Sequence, residues 1–182
     1  MNQRSYYFAV DLGATSGRTI IGSITDGKLE LEELTRFDNA IIETGGHFYW
    51  DIFALYNEII KGLKLVAQRG LKITSIGIDT WGCDFVYVGK DNAILRNPMA
   101  YRDPHTEGIM QQYFDEKIDR QTVYDKTGIQ FMNFNSLFQI YAMRKAGNTA
   151  LENAEKILFI PDALSYMLTG YAICGYTVAS TS

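Results

Sequence analysis

The sequence predicts an α/β fold: a mixed sheet opened by a three-strand meander, with helices on its faces. Three observations carry this. Three strand-like segments follow one another from Phe8 to Phe37 with only tight turns between them. A segment of helical period comes next and leads into a short, nearly all-apolar strand, so the helix makes a crossover and the flanking strands are expected to lie parallel, connected in the right-handed sense. From about Thr106 onward the pattern is mostly helical.

Phe8-Ala9-Val10-Asp11-Leu12 is an apolar strand running into Gly13-Ala14-Thr15-Ser16-Gly17. Arg18 to Thr25 is rich in β-branched residues and reads as the second strand. Asp26-Gly27 is a tight hairpin signal. Leu29 to Phe37 alternates roughly, with Leu29, Leu31, Leu34 and Phe37 on one apolar face. Asn39 to His47 reads as a loop, with His47 an ordinary member of it. Trp50-Asp51 starts a helix with Asp51 as its cap; Ile52, Leu55, Ile59, Leu63 and Val66 recur at helical spacing, and Arg69-Gly70 ends it. Ile73 to Asp79 has the composition of a strand inside a covered sheet. Phe85 to Val88 is a short strand, turned at Gly89 to Asn92 and returning through Ile94-Leu95. Helices are expected over Thr106 to Ile118, Asp119 to Lys126 and Phe134 to Ala146. A short extended piece follows at Glu155 to Phe159, then a helix from Ala163 to Leu168, opened by Pro161-Asp162 and stopped by Thr169-Gly170. The run from Cys174 to Ser182 carries no stop signal, and a truncation boundary is expected there.

A meander whose first turn is glycine-punctuated is the opening of the actin-like, RNase H-like ATPase fold. It is not a P-loop, which ends in Gly-Lys-Ser/Thr, nor a Gly-x-Gly-x-x-Gly turn opening a helix. The glycines allow a tight turn and close ligand approach. Backbone N–H groups and the Thr15 and Ser16 hydroxyls can form an anion-binding concavity. Asp11 is placed to hold a hydrated Mg²⁺, and Arg18 adds a fixed positive charge. A plain hairpin whose glycines serve only the turn is the alternative.

The chain has 182 residues, 47% hydrophobic and 21% charged, with a net charge of −4. This is the composition of a soluble globular protein with room for a core. The acidic balance and the lack of a Lys/Arg cluster argue against nucleic acid as a partner. No apolar run is long enough to span a bilayer, the N-terminus shows no secretory h-region, and the two cysteines have no metal-ligand spacing. Together these point to a cytoplasmic protein with reduced thiols.

Asp79-Thr80-Trp81-Gly82-Cys83-Asp84-Phe85 ends the apolar strand, where ligands of open α/β sheets bind. Gly82 permits close backbone approach, Asp84 can accept hydrogen bonds from sugar hydroxyls, and Trp81 can supply a flat apolar wall. Alternatively Trp81 is core and Asp84 caps a turn. Tyr101-Arg102-Asp103 brings a charged pair to a loop before a helix, where Asp103 or Thr106 also fits as a cap. Thr127 to Asn135, with Gln130 and Phe131, is a polar and aromatic loop, suited to a sugar's apolar face and hydroxyls or to anchoring by a buried Phe.

Taken in order, Ala9 to Arg18, Trp50-Asp51, Ser75 to Phe85, Ala100 to Asp103, Thr127 to Phe131, Pro161-Asp162 and Leu168 to Gly170 resemble the N-terminal part of the FGGY carbohydrate kinases. The resemblance runs along essentially the whole chain. It implies a two-domain enzyme with its active site between two actin-like domains, using ATP and Mg²⁺ on a small-molecule sugar. Ala14, Thr15, Ser16, Gly17 and Arg18 would contact the ATP phosphates, with Asp11 at the metal. Trp81, Gly82, Asp84, Arg102, Gln130 and Phe131 would form the sugar side. The phosphate turn alone would suit any kinase of the superfamily. The narrower Asp-Thr-Trp-Gly-x-Asp-Phe, Tyr-Arg-Asp and Gly-Ile-Gln-Phe set implies L-rhamnulose, phosphorylated on its 1-hydroxyl by in-line attack on the γ-phosphorus. L-fuculose or xylulose is the alternative ketose. The family's proton-accepting Asp has no match up to Ser182. Residues 1–182 are therefore expected to be an incomplete N-terminal domain, inactive alone. An actin-like ATPase or scaffold would share the first turn without needing the Trp-Gly-Cys-Asp loop; a free-standing sugar-binding module is the third reading.

Overall fold

A computed structural model describes residues 5–181. The expectations drawn from residues 1–4 and from the stop at Ser182 lie outside the described residues. In chain order the elements are β1 (Ser5–Leu12), β2 (Ser16–Thr25), β3 (Lys28–Asp38), β4 (Ile41–Thr44), β5 (His47–Trp50), α1 (Ile52–Gln68), β6 (Ile73–Asp79), β7 (Phe85–Gly89), α2 (Ile109–Glu116), α3 (Arg120–Thr127), α4 (Ser136–Lys145), α5 (Thr149–Glu152), β8 (Ala154–Phe159), α6 (Ile160–Thr169) and α7 (Tyr176–Ala179). A one-turn 3-10 helix, Pro104–Thr106, precedes α2. The chain divides into two compact units, one running to Ala40 and including Asp51–Trp81, the other made of Ile41–Trp50 and the residues from Gly82 on. No helix among the described residues is long and apolar enough to cross a membrane.

The first unit is a four-stranded sheet in the order β3-β2-β1-β6. β1–β2 and β2–β3 are antiparallel and β1–β6 is parallel, as the meander and the intervening helix predict. Asp26 and Gly27 close the β2–β3 hairpin at φ 50° and 75°, the left-handed pair that a two-residue turn needs. Alternation along β1 buries Phe8, Val10 and Leu12. The Asp51 carboxylate accepts the Ala54 N–H at 3.0 Å and starts α1, which turns Ile52, Leu55, Ile59, Gly62 and Val66 inward. That helix lies close on the sheet: a Cβ at Gly62 would sit 2.5 Å from Thr19 Oγ1 and 2.9 Å from Phe8 Cζ.

Two expectations are corrected in this unit. β6 reads as a strand of a covered sheet, yet Thr74 to Gly77 are exposed. Composition does not separate a covered strand from an edge strand, and among the described residues β6 pairs with β1 alone. On the other edge, Leu29 and Leu31 are 62% and 67% exposed rather than part of a buried face. The irregular spacing of apolar residues in β3 has a physical cause. Thr19 pairs with Thr35 but Ile20 with Glu33, so Leu34 is an extra residue in a bulge and the alternation changes phase there.

The second unit holds two antiparallel strand pairs and the remaining helices. β4 and β5 form a hairpin through Gly45 and Gly46, at φ 60° and 78°, which corrects the loop expected over Asn39 to His47. The signal was present, since Gly-Gly between Ile41-Ile42 and Phe48-Tyr49-Trp50 is a hairpin pattern. β7 pairs with β8, is buried throughout, and packs Phe85 and Tyr87 with Met99, Met143 and Ala150. The helix expected over Thr106 to Ile118 is split, because Gly108 at φ 73° interrupts it before α2. Asp119 caps α3, and Gly128 and Gly170 end α3 and α6 in the left-handed conformation. The four-residue α5 and α7 are too short to show a period and were not predicted. Much of the aromatic content is packing: Phe114 meets Phe131 and Tyr113 meets Tyr141 edge to face, with centroids 5.0 and 5.2 Å apart.

Candidate active site

The turn between β1 and β2 closes on itself, Gly13 N–H donating to the Ser16 carbonyl at 2.8 Å. Asn39, buried, ties both flanks. Its N–H donates to the Thr15 carbonyl at 3.0 Å and its Nδ2 to the Gly13 carbonyl at 2.9 Å. With the Gly13, Thr15 and Ser16 carbonyls engaged, the N–H groups of Ala14 and Thr15 have no partner among the described residues. An anion needs that arrangement. Gly17 is required by space, since a Cβ there would lie 2.6 Å from Leu12 Cδ2 and closer still to the Phe37 ring.

Beside the turn lies a cavity of about 190 Å³ lined by Asp11, Gly13, Ser16, Gly17, Arg18 and Arg36. Arg18 stands opposite Asp11 across the strands and donates to Asp11 Oδ2 from Nε at 2.8 Å and from Nη2 at 2.7 Å. Both side chains are 43% exposed. A pair this exposed contributes about 0–1 kcal/mol, so it can open for a more strongly charged partner. Among the described residues no cluster of three metal-binding groups occurs. One half-exposed carboxylate suits Mg²⁺, which takes one or two carboxylates, keeps several waters and shares phosphate oxygens. It does not suit a metal held wholly by protein.

In the second unit Gly82, Cys83 and Asp84 form a three-residue turn. Asp84 N–H donates to the Gly82 carbonyl at 2.9 Å, and Cys83 at its centre has φ 65°, a strained region for a side chain other than glycine. The strain is held from behind, where the Cys83 carbonyl accepts from Ser136 Oγ at 2.6 Å and Gln139 Nε2 at 3.3 Å. Burial, and after it the neighbouring Asp84 carboxylate, push the Cys83 thiol far above its ordinary range. Gly82 is exposed, and a Cβ on it would meet nothing within 4 Å, so its backbone is open to approach.

Asp84 does not face outward. It is wholly buried; its Oδ2 accepts from Trp50 Nε1 at 2.6 Å and Tyr101 N–H at 3.1 Å, and its Oδ1 from Gln139 Nε2 at 3.0 Å. The expected sugar acceptor is thereby corrected to a carboxylate that ties β5, the Tyr101 loop and α4 together behind the Gly82 turn. Asp103 acts in the same way. Its buried carboxylate accepts from Phe48 N–H at 2.7 Å, His105 N–H at 2.9 Å, and the imidazoles of His47 and His105 at 3.2 and 2.9 Å. Burial works to raise its pKa, but these donors prevail and hold it below the ordinary 3.8. Burial holds the His105 imidazole below its ordinary 6.5 in spite of Asp103.

Of the other expected sugar contacts, Trp81 is half-buried and its carbonyl accepts from Thr80 Oγ1 at 2.8 Å. Arg102 is exposed and lies over the Tyr101 ring at 5.5 Å. Gln130 is exposed, its carbonyl held by Asn135 Nδ2 at 3.0 Å. Phe131 packs against Phe114 and Phe138 and under Arg120, whose guanidinium is 5.1 Å from its ring centroid, so anchoring is its visible role. Sequence reading missed Asn39, Gln139, Ser136 and Arg36. The first three are polar residues that the fold buries, and Arg36 was displaced by the bulge. Thr25 pairs with Lys28, so an unbroken ladder would set Thr35 opposite Arg18; the extra Leu34 sets Arg36 there instead.

The N-terminal domain of the FGGY family of carbohydrate kinases matches residues 6–182. The chain belongs to the FGGY family of carbohydrate kinases. As an FGGY chain it is 64% identical over 176 residues to a rhamnulokinase of Bacteroides thetaiotaomicron, covering 97% of this chain and 36% of that protein. It is 42% identical to a rhamnulokinase of Oceanobacillus iheyensis, covering 96% of this chain and 37% of that protein. Among solved structures, a xylulose kinase and a gluconate kinase of Lactobacillus acidophilus superpose with TM-scores of 0.82 and 0.83 at 18% and 19% identity. They cover 97% and 98% of this chain and 36% of each of those chains. These likenesses bear out the mixed α/β, actin-like fold. The FGGY chain thus spans little more than a third of the relatives it matches. Carbohydrate kinases of this family use ATP, generally with a divalent metal.

Proposed function

We propose that the full-length protein is a cytoplasmic, MgATP-dependent kinase that converts L-rhamnulose to L-rhamnulose 1-phosphate in rhamnose catabolism. The observation that carries this is the 64% identity to a rhamnulokinase over 97% of the chain. In this reading residues 1–182 are the front of the N-terminal domain and the proton-accepting carboxylate lies outside them. Ala14 to Gly17 and Arg18 hold the phosphate chain of ATP, the backbone N–H groups and guanidinium offsetting its charge. Asp11 would hold the metal, which supplies further neutralisation of the transferring phosphoryl group. Gly82 lets the ketose approach its open backbone in the second unit. Asp84 keeps the Gly82 turn in its strained shape without touching sugar.

A coupled ADP-release assay on the full-length protein tests this with L-rhamnulose, L-fuculose and xylulose. L-rhamnulose should give the highest kcat/KM, and residues 1–182 alone should give none. Faster turnover of another ketose, or none with any, overturns the substrate. Gly82→Ala should raise the sugar KM with Tm unchanged, because an added Cβ meets nothing within 4 Å.

A further inference from the structure

We propose that Arg36 is a second arginine of the phosphate site, gripping the polyphosphate chain of the nucleotide from β3 while Arg18 grips it from β2. This rests on the reading of Ala14 to Arg18 as an ATP-phosphate turn. Arg36 lines the same cavity as Asp11, Gly13, Ser16, Gly17 and Arg18.

Arg18 and Arg36 stand directly opposite each other across β2 and β3. Like charges in that position oppose strand pairing. The sheet would avoid the clash with an unbroken ladder, which would set Thr35 against Arg18. Instead Leu34 is bulged out and a second cation is delivered to the cavity. Bulges next to functional sites re-aim side chains in this way. Two guanidiniums that repel each other become a favourable pair when a multiply charged anion lies between them.

Each guanidinium also has a carboxylate to rest on. Arg18 is paired with Asp11, both 43% exposed, and Arg36 with Glu33, at 56% and 40% exposure. Ion pairs this exposed are weak. A polyphosphate offers each arginine two oxygens matched to its planar fork and more charge than either acid. The cavity lining itself holds two guanidiniums against the one carboxylate of Asp11, so it is complementary to a polyanion and not to a neutral sugar.

Calorimetric titration of the full-length protein with ATP, inorganic tripolyphosphate and adenosine tests the assignment, alongside thermal melts. Arg36→Ala should weaken ATP and tripolyphosphate by about tenfold or more, the loss of a charged hydrogen bond. Adenosine affinity and Tm should stay as in wild type. Arg36→Lys should recover only part of the loss, because an ammonium restores charge without the fork. If Arg36→Ala binds both polyphosphates as wild type does while Arg18→Ala does not, Arg36 is outside the site and the turn keeps its role. Equal weakening of ATP and adenosine with a lower Tm would make Arg36 structural. If the wild-type protein binds neither ATP nor tripolyphosphate, the reading of the turn falls and the Arg36 assignment with it.

Discussion

Asp84 accepts from Trp50, Tyr101 and Gln139 in a place closed to water, and shortening it would strand these donors. In Asp84→Asn one oxygen becomes an NH₂ group, and whichever way the amide turns it points a donor at a donor: Trp50 Nε1 and Tyr101 N–H on one side, Gln139 Nε2 on the other. Leaving such buried groups unpaired costs about 1–3 kcal/mol each. Urea unfolding of Asp84→Asn should therefore show a loss of about 2–3 kcal/mol, with sugar and nucleotide affinities falling together. Loss of sugar binding alone at unchanged stability would return Asp84 to direct contact. Asp51 and Asp119 make an instructive contrast. Their donors, the N–H groups of Ala54 and Thr122, lie three residues along the chain, and the position of Asp51 just before a helical run was enough to identify it as a cap. The Trp50, Tyr101 and Gln139 donors to Asp84 lie 34, 17 and 55 residues away, so its residue type was visible while these surroundings were not.

The helix α1 shows the same division at the scale of an element. Its cap, its apolar period and its Gly70 stop are local, and all were legible. The depth at which it rests on the sheet depends on Gly62, which a periodic reading passes over. Alanine there gains about 1 kcal/mol of helix propensity. Its methyl group must push Thr19 and Phe8 away from contacts of 2.5 and 2.9 Å, and overpacking of this kind costs about 1–3 kcal/mol. The second effect should win, so Gly62→Ala is expected to lower Tm. Gly77→Ala on β6 is the control, since nothing lies within 4 Å of its added Cβ; it should be neutral or slightly stabilising. Equal melting of the two variants would mean that the helix can move outward freely. Register followed the same logic: the Asp26-Gly27 hairpin was readable, but the Leu34 bulge that brings Arg36 to Arg18 was not, because it arises from pairing between strands.

For the molecule as a whole, the meander and the glycine turn between its first two strands were legible because each is encoded within a few tens of residues. The edges of the sheet were not, because an edge is defined by what does not pair with it. Among the described residues β6 offers one side to β1 and none to another strand, and Ile76 on it is 45% exposed. A row of unsatisfied N–H and C=O groups beside exposed isoleucine is a template for any passing chain. The consequence belongs to storage and handling: the 182-residue chain should self-associate as its concentration rises, through β6 aligning with β6. Ile76→Lys puts a charge on the template, as natural edge strands do. Sedimentation velocity across a concentration series should find the variant monomeric where the parent chain forms larger species; identical profiles would mean that the stickiness resides elsewhere on the surface.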